Sequence, residues 1–225
     1  MKVIVVAGGN YDEDLVRSLI NDTEEDVYLI GADRGALSLI LSGYKIDIAV
    51  GDFDSVTDEE RETINTYSRE VISLKPEKDA TDMECAVKNA IDKCRRSEDH
   101  FNYIYLFAAT GTRMDHTLAN IEMLFFIKSY SRNIKTLIID GHNRIRLLDN
   151  NEYHVFYKDQ LIGKYVSFLP FGEDVDHLTL KGFKYEVKNT ILCLGTSRGV
   201  SNEVKDDVMS VFFETGSLLM IESRD

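Results

Sequence analysis

Five aspartates lie in three short motifs, each placed where a predicted strand passes into a predicted helix. The motifs are Gly51-Asp52-Phe53-Asp54-Ser55, Lys78-Asp79-Ala80-Thr81-Asp82 and Gly111-Thr112-Arg113-Met114-Asp115-His116. Carboxylates repel one another at close range, so several that converge on one point need a cation between them. Hard oxygen ligands favour Mg²⁺ or Ca²⁺ over soft metals. The motifs therefore predict a divalent-metal site, and the expected ligands are Asp52, Asp54, Asp82 and Asp115.

A parallel sheet covered by helices would bring these motifs together. From residue 1 to about 140, short apolar runs alternate with segments of helical period, which is typical of an α/β, Rossmann-like fold with helices on both faces of the sheet. The predicted strands are 2–7, 26–31, 46–50, 69–74, 103–109 and 135–139, and the predicted helices are 12–20, 34–42, 57–66, 82–96 and 115–130. Open sheets of this kind bind ligands outside the carboxyl ends of their strands. The motifs follow the third, fourth and fifth strands, so we expect them at one sheet edge.

The helix predicted at 82–96 has the clearest signal. Its apolar residues follow the helical period, and they are Met83, Ala86, Val87, Ala90, Ile91 and Cys94. Ahead of them, Thr81-x-x-Glu84 has the spacing of a capping box. This places the start of the helix at Asp82 or beside it.

After the sixth predicted strand the helical period disappears. The predicted strands are now 144–148, 153–157, 164–169, 177–181, 184–188, 203–205, 208–213 and 217–222. Asn150-Asn151 and Thr215-Gly216 predict hairpin turns, and Asp206-Asp207 predicts another tight connection. The pattern indicates a small C-terminal all-β sandwich, so we divide the chain into an α/β domain at 1–141 and a β domain at 142–225.

Charge and cysteine content exclude several classes of protein. The net charge of −13 and the pI near 4.8 give a field that repels the backbone of DNA or RNA. No apolar run approaches the roughly 20 residues of a membrane span, and the apolar start of the chain is too short for a signal peptide. The three cysteines lack Cys-x-x-Cys spacing and fit reduced thiols. We expect a cytoplasmic protein that binds neither nucleic acid nor membrane.

Arg113 and two glycine-bearing turns are candidate contacts for an anionic ligand. An arginine on a loop before a helix can grip an anionic oxygen bidentately, although a solvated surface arginine would give the same sequence. The turns Gly8-Gly9-Asn10 and Gly31-Ala32-Asp33-Arg34-Gly35 offer close backbone approach and free N–H groups to a nucleotide. Neither turn completes a dinucleotide fingerprint, and the chain has no P-loop motif.

Several of these residues also have a purely structural explanation. Asp82 could be a first-turn acid favoured by the helix dipole, and Asp115 could be the N-cap of its helix. His116 could be a hydrogen-bonded histidine or a catalytic group. The polar segment 195–203 is compatible with a ligand-facing loop and with a surface Ω-loop.

Four motifs in this order resemble thiamine pyrophosphokinase. The family has Gly-Asp-x-Asp-Ser, Asp-x-Thr-Asp, Gly-x-Arg-x-Asp-His and a late Ser-Asn-Glu, which the chain carries at 51–55, 79–82, 111–116 and 201–203. The resemblance implies an enzyme that transfers the pyrophosphoryl group of ATP to the hydroxyethyl oxygen of thiamine, giving thiamine diphosphate and AMP. It also implies a homodimer with shared active sites, in which the α/β domain holds ATP and the β domain holds part of thiamine.

Phosphoryl-type transfer needs in-line geometry and neutralised oxygens, which Mg²⁺ or Mn²⁺ on the aspartates would supply. The expected catalytic residues are Asp54, Asp82, Asp115 and Arg113, and the expected substrate contacts are Asp33, Asp52, Asp79, Thr81, His116, Ser201 and Asn202. The chain departs from the family at three points: Ala80 replaces a frequent glutamine, Thr112 replaces a frequent glycine, and no tryptophan is present to stack on thiamine.

Two other functions share part of this pattern. A metal-dependent, glycosyltransferase-like enzyme also has Asp-x-Asp after a Rossmann-type strand, and release of AMP would distinguish the two reactions. A non-catalytic nucleotide-sensing module would bind nucleotide without turnover, but it leaves the clustered carboxylates without a chemical role.

Overall fold

The computed structural model describes residues 1–22, 27–75, 77 and 79–225. The chain separates into two compact units, Met1–Gly141 and His142–Asp225. Two predicted features fall partly outside the described residues, namely the start of the second strand at residue 26 and Lys78 of the second aspartate motif. No helix of the described ranges combines the length and the apolarity needed to cross a bilayer.

The first unit alternates strands and helices along the chain. Its elements are β1 (Lys2–Val6), α1 (Glu13–Asn21), β2 (Val27–Ala32), α2 (Arg34–Leu41), β3 (Ile46–Gly51), α3 (Asp58–Tyr67), β4 (Ser68–Ser73), α4 (Asp82–Arg95), β5 (Asn102–Phe107), α5 (Met114–Tyr130) and β6 (Ile134–Ile139). The strands lie in the order β6-β5-β1-β2-β3-β4, and each neighbouring pair is parallel. Right-handed crossovers put α1, α2 and α3 on one face and α4 and α5 on the other. The predicted α/β fold is confirmed.

The central strands of this sheet are covered on both faces. Four successive residues of β1, from Val3 to Val6, are fully buried, as expected for a strand between two helical layers. Ile4 and Val6 pack in one cluster with Val16 of α1 and Ile64 of α3. Strand order reverses at β1, because β2 follows it on one side and β5 lies on the other. This reversal opens a crevice at the carboxyl ends of β1 and β5.

Helix α4 begins and packs as its sequence predicts. All six predicted apolar residues are buried. The Thr81 hydroxyl accepts a hydrogen bond from the Glu84 N–H at 3.1 Å, whereas the Glu84 carboxylate pairs with Lys88 at 2.7 Å. Only the Thr81 half of the predicted capping box is therefore present. A complete capping box, between Thr57 and Glu60, begins α3.

The second unit consists of two antiparallel sheets. Its strands are β7 (Asn143–Leu148), β8 (His154–Tyr157), β9 (Tyr165–Pro170), β10 (Val175–Lys181), β11 (Val187–Leu192), β12 (Asn202–Glu203), β13 (Val208–Phe212) and β14 (Leu218–Ser223), with a 3₁₀ turn at Lys158–Gln160. One sheet has the order β12-β9-β14-β7 and the other β11-β10-β13-β8. The rings of Phe168 and Phe183 pack edge to face in the core between the two sheets, with their centroids 5.2 Å apart. The predicted β sandwich is confirmed.

The predicted hairpin turns of this unit are wrong. Asn150-Asn151 joins β7 of one sheet to β8 of the other, and Thr215-Gly216 joins β13 to β14 in the same way. Positive φ angles at Asn151 (58°) and Gly216 (94°) explain why turn-forming residues occur there. These connections switch sheets, which local sequence does not distinguish from a hairpin.

The strand predicted at 184–188 begins three residues later than predicted, as β11 at Val187. Gly182 has a φ of 78° and its N–H donates to the Glu186 carboxylate at 2.8 Å. This local bond closes a bend over residues 182–186 and delays the strand.

Helix α2 approaches the end of β1 closely at Gly35. A Cβ atom on Gly35 would lie 2.1 Å from the Val6 carbonyl oxygen and 2.6 Å from that of Ala7. Both are backbone atoms, so no side chain can move aside. Gly35 is therefore required for the packing of α2 against β1. The sequence pattern alone suggested a different reason for this glycine, namely close approach of a ligand.

We expect Gly35→Ala to destabilise the protein by about 3 kcal/mol, because the methyl group forces α2 away from β1. Helix propensity alone would give the opposite sign, by about 1 kcal/mol. The matched control is Gly8→Ala, whose Cβ meets nothing within 4 Å, and its free energy of unfolding should stay within about 0.5 kcal/mol of wild type. Urea denaturation followed by circular dichroism measures both. Equal midpoints for the two variants would contradict the close approach.

Candidate active site

A cleft of about 360 Å³ opens at the carboxyl ends of β1 and β5. Residues 7–10 after β1 and 108–112 after β5 form its floor, and Asp33, Asp82 and Arg113 also border it. The first turns of α4 and α5 face this space. Their N–H groups and helix dipoles favour an anionic ligand. The cleft therefore lies where open α/β sheets bind nucleotides.

Backbone hydrogen bonds join the two loops of the floor. The Gly9 N–H donates to the Ala108 carbonyl at 2.9 Å, and the Asn10 N–H donates to the Thr110 carbonyl at 3.1 Å. The Thr110 hydroxyl in turn donates to Asp140 at 2.8 Å. The expectation that this glycine turn offers free N–H groups is therefore wrong at Gly9 and Asn10. The turn supports the cleft instead.

Asp33, Asp52 and Asp54 form a carboxylate cluster, and Asp33 connects it to the cleft that it borders. One carboxylate oxygen from each lies within 4.8 Å of the others. Asp33 follows β2, whereas Asp52 and Asp54 follow β3, and these parallel strands are neighbours. Three carboxylates at this separation are suited to surround a hard divalent cation.

Asp33 was missed as a possible metal ligand, since its predicted role was nucleotide binding. The sequence did contain a signal, because an aspartate directly follows both neighbouring strands: Asp33 follows β2 and Asp52 follows β3. Asp82 and Asp115 are not members of the three-carboxylate group within the described residues. Their metal-binding roles stay predictions.

The backbone holds the cluster independently of its charges. Asp33 and Phe53 have φ angles of 49° and 57°, which are uncommon for residues other than glycine. The Asp33 N–H donates to the Val50 carbonyl at 2.8 Å. Phe53, between the two aspartates of its motif, is only 3% exposed and packs in the core. These anchors keep the carboxylates together despite their repulsion.

The Asp33 carboxylate is partly compensated by its neighbours. The Ser55 hydroxyl lies 3.0 and 2.9 Å from its two oxygens. Burial raises the pKa of Asp33, the Ser55 hydrogen bond and the Arg34 N–H lower it, and the charges of Asp82 and Asp52 raise it further. The net pKa is above the ordinary value, so the ionised form is disfavoured. A cation in the cluster would reverse this balance.

Asp82 belongs to the same electrostatic neighbourhood. It borders the cleft at the first turn of α4, and its charge contributes to the raised pKa of Asp33. The predicted contact residue Thr81 is the N-cap of α4, so its hydroxyl already serves the helix. Asp79 is exposed in the bend ahead of it.

Arg113 and Asp115 form an exposed ion pair on the rim. The guanidinium donates to the two Asp115 oxygens at 3.2 and 2.6 Å, and both side chains are about two-thirds exposed. The hydrogen bond from Arg113 lowers the pKa of Asp115 to about 2. Arg113, not Asp115, is the N-cap of α5, so capping does not explain this aspartate. His116 is exposed and borders the cleft.

In the second unit, Asn202 fixes the backbone around Tyr185. Its side chain is 4% exposed. Its Oδ1 accepts hydrogen bonds from the N–H groups of Tyr185 and Glu203, both at 2.9 Å, and its Nδ2 donates to the Tyr185 carbonyl at 2.9 Å. Its amide is thus occupied by the protein itself. Ser201 is exposed, with a φ of 56°.

Tyr185, which sequence analysis missed, stands at a cavity of about 460 Å³ in this unit. The ring is 59% exposed, and the Lys184 ammonium lies 5.4 Å from its centre. Apolar side chains such as Phe168 and Leu178 line the cavity together with Arg198. The bend that presents Tyr185 replaces a predicted strand, so local sequence gave no signal for it.

Comparisons with known proteins agree with this arrangement. The family models described as "Thiamin pyrophosphokinase, catalytic domain" and "Thiamin pyrophosphokinase, vitamin B1 binding domain" match residues 20–138 and 152–220. Thiamine pyrophosphokinase of Bacillus subtilis is 38% identical over the full length of both chains. Thiamine pyrophosphokinase 1 of Oryza sativa is 25% identical, over 81% of this chain and 68% of its own.

Solved structures give the same result. The crystal structure of thiamine pyrophosphokinase from Bacillus subtilis superposes with a TM-score of 0.86 at 34% identity, and the match covers all of both chains. A thiamin pyrophosphokinase family protein from Enterococcus faecalis gives 0.82 at 28% identity, again over both full chains. With two family models, a full-length relative and these structures in agreement, the chain belongs to the thiamine pyrophosphokinase family.

Proposed function

We propose that this enzyme makes thiamine diphosphate and AMP at the acidic cleft of its first unit, by moving the pyrophosphoryl group of ATP onto the hydroxyethyl oxygen of thiamine. Membership of the family supports the reaction. The single observation that supports the location is the group formed by Asp33, Asp52 and Asp54 within 4.8 Å. Polyphosphate is an anion, so this acidic cleft can hold it only through a cation and the few local donors.

The residues of the cluster fit Mg²⁺ or Mn²⁺. Their oxygens are hard ligands. Burial is the main cause of the raised pKa of Asp33, and a cation would neutralise the charges of Asp82 and Asp52 that raise it further. Asp33, Asp52 and Asp54 hold the ion, with Asp82 beside them. When bound, the ion neutralises charge on the phosphate oxygens of ATP. Thr81 borders the cleft beside this proposed phosphate region, and Asp79 precedes it by two residues.

Arg113 binds the phosphate chain of ATP by giving up its ion pair with Asp115. In the ligand-free protein it pairs with Asp115, and exposed ion pairs contribute little stability, so exchanging Asp115 for phosphate oxygens costs little. Its bidentate fork suits phosphate as well as carboxylate. Because Arg113 causes the low pKa of Asp115, its departure returns that pKa towards the ordinary value. Asp115 then becomes a better acceptor for the thiamine hydroxyl proton.

The second unit supplies the thiamine contacts. Tyr185 takes the place of a stacking tryptophan, since its ring is exposed and its backbone is fixed by Asn202 on both sides. A fixed aromatic ring attracts the positive thiazolium ring through its π face. Ser201 offers an exposed hydroxyl to the substrate. Asn202 acts through Tyr185.

The active enzyme is a homodimer in which each site uses the first unit of one subunit and the second unit of the other. The nucleotide contacts and the thiamine contacts belong to different units, and a two-fold dimer repeats both. Within the described residues, Cys85, Cys94 and Cys193 form no disulfide, which fits a reducing compartment such as the cytoplasm.

An assay with thiamine and Mg-ATP tests the function directly. AMP and thiamine diphosphate should appear in equal amounts, and EDTA should abolish both, because the cluster cannot hold phosphate without a cation. Chromatography of the products measures them. ADP as the stoichiometric nucleotide product would refute the proposed reaction, and nucleotide binding without turnover would favour a sensing module.

We expect Asp33→Asn to raise the melting temperature at neutral pH without divalent cations, because it removes one of three repelling charges. About 1 kcal/mol corresponds to about 2–4 °C at this chain length. Since the pKa of Asp33 is raised, its ionisation opposes folding above the ordinary aspartate range. The gain should therefore vanish below about pH 3.9, where Asp33 is protonated in both folded and unfolded states.

Excess Mg²⁺ should stabilise the wild type more than Asp33→Asn, since the variant has lost a ligand. The control Asp206→Asn removes an exposed carboxylate of the second unit. It should change neither the melting temperature without divalent cations nor its increase with Mg²⁺. Scanning calorimetry with EDTA and with Mg²⁺ measures both. If Mg²⁺ raised the melting temperature of wild type and of Asp33→Asn by the same amount, Asp33 would not be a metal ligand.

Shared sites predict complementation between two impaired variants, assayed at a limiting thiamine concentration at which each parent is nearly inactive. Asp54→Asn should lower turnover at least about a hundredfold through the lost metal ligand, and Tyr185→Ala should weaken thiamine binding through lost stacking. Co-expression places both changes in one site of each mixed dimer and leaves the other site intact. With random pairing, about a quarter of normal activity should return. Failure of purified mixed dimers to exceed their parents would mean that each site is built within one chain.

A further inference from the structure

Asn120 borders the cleft, and within the described residues its side-chain nitrogen has a hydrogen-bond partner whereas its side-chain oxygen has none. Asn120 lies on α5, borders the cleft and is 8% exposed. Its Nδ2 donates to the Ala109 carbonyl at 2.7 Å. A carbonyl only accepts hydrogen bonds, so the nitrogen must face Ala109 and Oδ1 must point away from it. Because Asn120 also borders the cleft, we infer that this acceptor faces it.

Oδ1 has no hydrogen-bond donor among residues 1–22, 27–75, 77 and 79–225. Asn120 Oδ1 is not among the buried side-chain atoms that lack a partner in the described residues, so it is open to solvent. An acceptor of this kind is available to water or to a ligand. A group that enters the cleft with a hydrogen to donate would find a rigid partner here, because the bond to Ala109 fixes the amide plane.

The position of Asn120 indicates which part of a nucleotide it meets. Arg113, the proposed phosphate contact, caps α5, and Asn120 lies seven residues further on, about 10 Å along the helix axis. Ionised phosphate has no hydrogen to donate and would be repelled by Oδ1. The nearby floor consists of small residues, including Gly9 and Ala108, which leaves room for a flat ring. The base end of the nucleotide therefore fits this depth.

We propose that Asn120 selects adenine, with Oδ1 accepting a hydrogen bond from the exocyclic amino group at C6 of the purine. The proposal rests on the proposed function, which places ATP in this cleft. A 6-oxo purine presents an acceptor to an acceptor, and a purine without a C6 substituent leaves Oδ1 unpaired. Both are rejected for the same reason, because the bound ligand would cover Oδ1 and exclude water from it without supplying a hydrogen-bond donor.

Equilibrium binding to the wild-type protein tests this without turnover. Titration calorimetry with Mg²⁺ and no thiamine compares ATP, ITP and purine riboside triphosphate, and ATP should bind at least about tenfold more tightly than either. Equal affinities would overturn the proposal. The proposal would also be overturned if 2′- or 3′-deoxy-ATP bound more weakly than ATP while ITP bound equally well. The group that donates to Oδ1 would then be a ribose hydroxyl. Base selectivity without thiamine diphosphate synthesis would refute the proposed function and leave this inference standing.

The variant Asn120→Ala should reduce the preference for ATP over ITP to about twofold or less. The matched control is Thr117→Ala, one turn earlier on α5 and also at the cleft, which should keep the wild-type ratio. Persistence of the wild-type ratio in Asn120→Ala would overturn the proposal. If circular dichroism shows that Asn120→Ala does not fold, the wild-type nucleotide series decides the question.

Discussion

The close packing of α2 against the end of β1 determines where the carboxylates of the cleft can lie. Gly35 leaves no room for a side chain at this contact, so the turn between β2 and α2 is confined to one path. That path gives Asp33 its positive φ and its hydrogen bond to Val50. Like charges would separate if the chain could yield, and the core residue Phe53 prevents this on the other side. Packing energy thus holds an arrangement that electrostatics opposes, a common relation between stability and function.

Position along the chain was more predictable than position in space. The six buried residues of α4 follow a local period of 3.6, and the aspartate motifs follow strands that local patterns reveal. Membership of Asp33 in the cluster depends instead on the pairing of β2 with β3 and on two unusual backbone angles. Neither is encoded in a short window of sequence.

In the second unit, too, local sequence did not predict where residues lie in space. Turn residues at Asn150-Asn151 signal a reversal of the chain, but they do not state which sheet receives the next strand. Tyr185 is presented by a bend that depends on Asn202, seventeen residues away. Asn202 also shows that a residue matching a family motif need not touch the substrate itself, because its side-chain amide bonds to the backbone of Tyr185 and Glu203.

The hydrogen bonds that join Gly9 to Ala108 and Asn10 to Thr110 continue the pairing of β1 with β5 beyond the strands themselves. The floor of the cleft is consequently ordered before any ligand arrives. Binding there removes little conformational freedom from the protein backbone, so the entropic penalty of association falls on the exposed rim, where Arg113 must change partners. Among ligands that carry the same base, differences in affinity should accordingly arise from dissociation at the rim, while the floor acts as a fixed template.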